Sequence, residues 1–264
     1  MKIDLSGKKA IVTGSSAGIG WACARGLAEV GALVVLTGRS QESLALARDR
    51  LLTAVQGATV RTVAADLSQA SGCDALVAAE PACDILVNNL GFWEPSPFLD
   101  SLDTQWESSL QVNLMPGVRL ARAYIADMMD RDWGRVVFIS SVDAITLPAD
   151  SLHYGVAKAA VLGLSRGLAK ITQGSGVTVN AILPGPTMVE WLEALVSGLA
   201  RQSGQTLQQA GDQAVKTRYP TSLSKRIHSV DEVANLVVYA CSSQASATTG
   251  TALRADGGIV EAIV

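Results

Sequence analysis

Histidine and cysteine are scarce in this chain: two and four among 264 residues. Cys23, Cys73, Cys83 and Cys241 form no C-x-x-C pair and no metal-finger spacing, so a His/Cys metal centre is not expected. The thiols read as small buried residues of a reducing cytoplasm. Charge is also sparse, at 17% of residues with a formal net charge of −3. No long basic or acidic run is present, which argues against nucleic acid or a membrane surface as the main partner. No apolar stretch approaches the ~20 residues that a bilayer span needs. No basic segment followed by an apolar core opens the chain. With 48% hydrophobic residues, a large buried core and a cytoplasmic protein with a small-molecule partner are expected.

Short apolar runs recur at Ala10–Thr13, Leu33–Thr37, Thr59–Ala64, Ile85–Asn88, Arg135–Ser140, Val177–Leu183 and Ala252–Ala255. They lack in/out alternation, as strands covered on both faces do. Helical patterns lie between them, at roughly Ile19–Val30, Gln41–Val55, Thr104–Asp130, Leu152–Thr172 and Asp231–Ser242. Gly31 suits a helix C-terminus, and Ser40 and Ser229 suit N-caps. Alternating strand and helix predicts an α/β fold: a doubly wound parallel sheet with helices on both faces, in a single domain over 1–264. The stretch 187–229 breaks the rhythm. It is expected to form short helices over the carboxyl ends of the strands, where open sheets bind ligands.

"IVTGSSAGIGWA" follows the first strand and opens the first helix. Gly14, Gly18 and Gly20 allow a tight turn, close approach of a pyrophosphate and close helix packing, and the helix N–H groups then face phosphate. A purely structural glycine turn is the alternative. The second strand ends "VVLTGRS". An acidic side chain for both adenosine ribose hydroxyls is missing there. Gly38 leaves the spot empty, and Arg39 can pair with a ribose 2′-phosphate or stay solvated. NADP(H) is therefore preferred, with NAD(H) possible. Asp66 is placed to meet the adenine amino group, or simply to make a turn.

The segments "TGSSAGIG" at 13–20, "NNLG" at 88–91, Asn113 in "QVNL", "ISS" ending at Ser141, "YGVAK" at 154–158 and "PGPT" at 184–187 together resemble the short-chain dehydrogenase/reductase family over nearly the whole chain. The resemblance implies seven parallel strands, a nicotinamide cofactor and a homotetramer or homodimer. It implies Tyr154 as catalytic acid/base, Lys158 as its partner, Ser141 as donor to the substrate oxygen and Asn113 as part of a proton relay. Cofactor contacts are implied at Gly14, Ser16, Gly18, Ile19 and Gly20, then at Arg39, Asp66 and Leu67. Further contacts fall at Asn89 and Gly91, at Tyr154 and Lys158, and at Pro184, Gly185 and Thr187. The chain departs from the family pattern at Leu90, where alanine is usual, at Ala157, where serine is common, and at Val189, where many members carry threonine.

Tyr154 and Lys158 are one helical turn apart and share a face. Reducing a ketone needs a hydride at carbon and a proton at oxygen. A phenol near pKa 10 is a reluctant base; bringing it to about 7 takes roughly 4 kcal/mol, much of which a nearby ammonium can supply. Ser141 can hold the carbonyl oxygen, or cap the next turn. Asn113, a poor helix former, can hold a water that links Lys158 to solvent, or lie on a wet face. His153 points about 100° away from the tyrosine around the helix and reads as structural or interfacial. Phe92, Trp93, Asp143, Leu147, Met188 and Trp191 are candidates to line an apolar substrate pocket, with Asp143 as the odd polar member. The function expected is hydride transfer between NADP(H) and a ketone or secondary alcohol of 3-oxoacyl, small-ketone or polyol type. A nucleotide-binding regulatory protein without turnover, or a structural subunit, would not need the proton-transfer set.

Overall fold

The computed structural model describes residues 2–263. Its strands are β1 Lys9–Val12, β2 Leu33–Gly38, β3 Val60–Ala64, β4 Ile85–Asn88, β5 Gly134–Ile139, β6 Val177–Pro184 and β7 Ala252–Ala255. Every pairing is parallel, and the order is β3-β2-β1-β4-β5-β6-β7. The order reverses between β1 and β4, which opens a crevice at their carboxyl ends.

Helices cover both faces: α1 Gly18–Glu29, α2 Gln41–Ala54, α3 Ala70–Ala79, α4 Asp103–Asn113, α5 Met115–Asp130, α6 Asp143–Thr146, α7 Leu152–Ile171, α8 Glu190–Ser203, α9 Leu207–Arg218 and α10 Val230–Cys241. Successive strand residues point to opposite faces, and both sets are apolar. Ala10, Val12, Val34, Leu36, Val87 and Ile139 pack on α1, α2 and α10. Ile11, Val35, Leu86, Val136 and Phe138 pack on α3, α5 and α7. That is why the strands read as unbroken apolar runs.

Ser229 caps α10 in a reciprocal box with Glu232, and Ser40 caps α2. Gly31, at φ +94°, turns the chain after α1. Two helical assignments change. The pattern over 104–130 is two helices, α4 and α5, meeting at Leu114. Pro116 has no N–H to continue the ladder. The sequence pattern also misses α3, whose Gly72 lowers helix propensity; a Cβ there would run into the Asp66 backbone.

The stretch 187–229 folds as the α8–α9 hairpin around its own small core of Val196, Ala200 and Ala210. Its two ends are fastened together: His228 N–H donates to the Pro186 carbonyl at 3.0 Å and Met188 N–H to the His228 carbonyl at 2.8 Å. The hairpin thus leaves and re-enters the sheet at one point, beyond β6. Among the described residues no helix is long and apolar enough to cross a membrane, and no cluster of His, Cys, Asp or Glu could hold a metal ion.

Candidate active site

The turns after β1 and β4 lock together through Thr13 and Asn89. The Thr13 hydroxyl oxygen accepts the N–H groups of Asn89 at 2.8 Å and Leu90 at 2.9 Å. The Asn89 amide donates to the carbonyls of Thr13 at 2.9 Å and Gly14 at 3.1 Å. Gly20 lies so close beneath that any Cβ would collide with the Asn89 amide and the Gly14 carbonyl. The glycine is therefore set by contact between the two turns. Asn89 lines the cleft, yet its amide serves the glycine turn.

The next wall comes from β5 and α7. Ser140 Oγ donates to the Lys158 carbonyl at 2.8 Å, which pins α7 to the end of β5. Gly155, directly after Tyr154, lets the Asp143–Leu147 segment pack where a Cβ would press on the Asp143 carbonyl at 2.9 Å. Leu147 there is left-handed, at φ +46°, which is strained for a leucine. These contacts bring Ser141, Asp143, Tyr154 and Lys158 to one side of the cleft. The Ser141 hydroxyl lies beside the Tyr154 phenol and favours its ionised form. The Lys158 ammonium lies 5.6 Å from the centre of the Tyr154 ring and donates to the Ile139 carbonyl at 3.0 Å.

The electrostatics differ from the expectation that Lys158 draws the phenol toward neutrality. Burial first, and then the Asp143 carboxylate, push Tyr154 above its ordinary pKa of 10, against the lowering effect of the Ser141 hydroxyl. Burial brings Lys158 down to about 8. At neutral pH the phenol therefore holds its proton. Asp143 is itself pushed up by burial, against the Arg218 guanidinium and its bonds from Thr146 and Tyr219.

Asn113 sits just under this wall. Its amide donates to the Phe92 carbonyl at 3.1 Å and the Ser109 carbonyl at 3.0 Å, while its Oδ1 accepts the Phe92 N–H at 3.0 Å. Both amide protons are thus engaged in holding the loop after β4. Lys158 and Asn113 both close on Gly91, where a Cβ would stand 3.0 Å from Lys158 Nζ and from Asn113 Oδ1.

The cleft has a volume of about 1020 Å³ and a mostly apolar wall. Gly14, Gly18, Ile19, Gly20, Gly91, Pro184, Gly185 and Thr187, all expected as cofactor contacts, line it. Ser16, Arg39 and Asp66 follow β1, β2 and β3 at the same edge of the sheet but lie off that wall. A Cβ on Gly38 would meet Ser16 Oγ at 3.6 Å, so this hydroxyl lies beside the end of β2. Arg39 is exposed and makes no ion pair among the described residues. Asp66 accepts from the Ser68 N–H at 3.1 Å and the Ser68 hydroxyl at 2.7 Å, with its other oxygen outside those bonds. Leu67 belongs to the core, so only its backbone could face a nucleotide.

Of the pocket candidates, Phe92, Trp93, Asp143 and Trp191 line the cleft. Leu147 packs on Gly155, and Met188 on Gly211 and the hairpin core. His153 is buried, edge-on to Trp106 at 6.2 Å between ring centres. Sequence reasoning missed Glu190, Arg218 and Tyr219. Trp191 of α8 stacks on Trp93 at 5.7 Å, and the Arg218 guanidinium lies 6.0 Å from the Trp93 ring. Arg218 is held by both oxygens of Asp150, at 2.7 and 3.0 Å. The Glu190 carboxylate accepts the Gly18 N–H at 3.0 Å, at the amino end of α1. Charged residues following "TMV" and preceding "YP" were the available signal for the last two elements, but nothing local links them to the cleft.

Residues 14–260 match the family model described as Enoyl-(Acyl carrier protein) reductase. The chain is 41% identical over 263 residues to the oxidoreductase YvaG of Bacillus subtilis (strain 168), covering all of both chains. It is 31% identical over 257 residues to the 3-oxoacyl-[acyl-carrier-protein] reductase FabG of Escherichia coli (strain K12), covering 97% of this chain and 99% of that one. Among solved structures it resembles L-sorbose reductase from Gluconobacter frateurii, solved with NADPH and L-sorbose, at a TM-score of 0.91 and 31% identity over the whole of both chains.

Proposed function

The chain belongs to the short-chain dehydrogenase/reductase family, and from that premise we propose that it reduces a carbonyl compound with NADPH, with Tyr154 giving the proton. The observation that carries this reading is the convergence of Tyr154, Ser141 and Lys158 on a cleft whose opposite lip is the glycine turn. The residues present suit a dinucleotide. Gly18 offers a backbone N–H at the amino end of α1, where a pyrophosphate is favoured. Ser16 and unpaired Arg39 flank the end of β2 and would hold a 2′-phosphate, which favours NADP(H) over NAD(H). Asp66 and the Leu67 backbone would serve the adenine, and Pro184, Gly185 and Thr187 the carboxamide side. L-sorbose reductase, solved with NADPH, and a gluconate 5-dehydrogenase-type protein from Beutenbergia cavernae, solved with NADP, are similar chains.

When bound, the cofactor supplies the hydride. The chain supplies the proton and the electrostatics. Ser141 donates to the carbonyl oxygen and steadies the charge that gathers there. Tyr154, kept protonated by burial and Asp143, transfers its proton to that oxygen. Lys158 then stabilises the phenolate left behind, and the Asn113 region offers the path by which solvent returns a proton. The α8–α9 segment within 187–229 provides the substrate-facing wall. A homotetramer or homodimer in the cytoplasm is the working assembly.

Tyr154→Phe is the test. Turnover, followed at the reduced-nicotinamide band over a panel of ketones, should fall by about 10³-fold while NADPH binding stays within twofold. Arg39→Ala should weaken NADPH at least tenfold and NADH less than threefold. Unchanged turnover removes the proton donor from the reading; equal losses for both nucleotides remove the 2′-phosphate site.

A further inference from the structure

Asp143 is 6% exposed and lies two residues beyond Ser141 on the reacting side of the cleft. A buried carboxylate needs donors for both oxygens. Only Oδ1 has them: Thr146 Oγ1 at 3.3 Å and the Tyr219 hydroxyl at 3.3 Å. Oδ2 has no hydrogen-bond partner among the described residues, and it is not among the polar atoms sealed inside protein. The backbone N–H of Asp143 donates to Ser141 Oγ at 3.1 Å, so the Asp143 backbone is tied to the group that would hold the carbonyl oxygen. The nearby cation, Arg218, is taken up by Asp150 on both of its terminal nitrogens.

From this geometry we propose that Asp143 Oδ2 accepts a hydroxyl of the substrate next to its reacting carbonyl, so that the enzyme selects hydroxyketones and ketoses over plain ketones and 3-oxoacyl thioesters. The inference rests on the carbonyl-reductase reading for its chemistry, but the carboxylate's unsatisfied oxygen stands without it. A 3-oxoacyl thioester carries no donor beside its ketone, so it would dehydrate Oδ2 and leave it unpaired. Sites built to bond a substrate hydroxyl reject the analogue without it far more strongly than apolar pockets reject an extra group. A cationic substrate is disfavoured, because the Arg218 guanidinium already acts on this carboxyl. A neutral hydroxyl supplies the donor and adds no positive charge. The specificity is therefore set mainly by what the carboxylate refuses.

The test has a kinetic arm and a binding arm. In the kinetic arm, kcat/KM with NADPH is compared for 1-hydroxy-2-butanone and 2-butanone. The natural protein should prefer the hydroxyketone by about 10²-fold or more. Asp143→Val should bring the ratio below about fivefold, chiefly through loss on the hydroxyketone, and Asp143→Asn should fall between, because its amide oxygen still accepts. In the binding arm, NADP⁺-loaded Tyr154→Phe protein is titrated with D-fructose by tryptophan fluorescence. Adding Asp143→Val should weaken binding at least tenfold, with cofactor binding unchanged. Equal use of the two ketones, or fructose binding indifferent to residue 143, overturns the proposal. Absence of turnover on every carbonyl would remove the reductase reading, while the binding arm would still decide the role of Asp143.

Discussion

The two edges of the sheet handle charge in opposite ways. At the amino ends of the strands, every buried charge is answered. The Glu80 carboxylate, 5% exposed, takes Lys9 at 2.7 Å and Arg61 at 3.1 Å. The buried Arg135 guanidinium donates to the carbonyls of Gly134, Gly176 and Ser242. At the carboxyl ends the buried Asp256 takes the N–H groups of Gly258 and Val260, but the charges around the cleft are only partly answered. Among the described residues, Lys158 has one carbonyl, Asp143 has donors on one oxygen, and Arg39 has no ion pair. A structural edge saturates its polar groups; a working edge keeps some in reserve for a ligand at a cost in stability. The comparison is testable because the two edges should respond to neutralisation with opposite signs.

Lys158→Met is the sharpest probe. Turnover should fall by about 10³-fold. Stability should nevertheless rise. Burial lowers Lys158 from 10.5 to about 8, which corresponds to ~3 kcal/mol held against the fold when the ammonium is charged. Losing the bond to the Ile139 carbonyl returns ~1 kcal/mol of that, so a net gain of about 2 kcal/mol is expected at pH 7. The pH dependence has a definite sign. Below about pH 8 both folded and unfolded lysines are protonated and the penalty is full. Between about 8 and 10.5 the unfolded chain binds more protons, so the natural protein gains stability as pH rises. Urea unfolding at pH 7 and pH 9.5 should therefore show the variant's advantage shrinking. A less stable variant at pH 7 would place Lys158 with the saturated edge.

Glu80→Gln is the converse. Burial pushes this carboxyl up, but the bonds from Lys9 and Arg61 outweigh it, and the net shift is downward. A depressed carboxyl contributes stability that is fully present above its unfolded value near 4.5 and is lost as pH falls through the folded one. Breaking buried pairs costs several kcal/mol, and less here because Lys9 and Arg61 are 26% and 56% exposed. A loss of about 2 kcal/mol at pH 7 is expected, narrowing below pH 4.5, with kcat within twofold. A stability change that ignores pH would show that the pair network is not the cause.

The sequence discloses these edges unevenly. All seven strands are legible because both faces of the sheet are apolar and the runs stop where the turns begin. The glycine turn and the shared face of Tyr154 and Lys158 are legible in local spacing, whereas Ser141 was expected mainly from the family resemblance. The α4–α5 break had its signal in Pro116, but continuous apolar periodicity masked it. Gly72 hides α3 because its reason for being glycine, the nearby Asp66 backbone, is tertiary. Arg218 and Tyr219 reach the site only because α8 and α9 fold on each other and return to the sheet at His228. Asp143 was visible as an odd residue; the half-satisfied state of its carboxylate was not.

Glu190 gives the smallest expected effect. It begins α8, is exposed, and its carboxylate accepts the Gly18 N–H at 3.0 Å. In the proposed function that N–H belongs to a pyrophosphate, so Glu190 occupies an anion's place with an anion. The nucleotide must displace it, and the displaced charge stays close because Val189 packs on Gly18. Exposure lets solvent and salt screen most of the repulsion. Glu190→Gln keeps an oxygen that can accept the same N–H but removes the charge. NADPH binding, measured by nucleotide fluorescence, should tighten about three- to tenfold at low ionic strength, and the gain should shrink as salt is raised to about 0.5 M. Stability should move by less than ~0.5 kcal/mol, as for an exposed substitution. Weaker binding in the variant would mean that Glu190 helps to hold the nucleotide, and the working edge would then carry its negative charge for attraction through bridging groups instead of as a stand-in for phosphate.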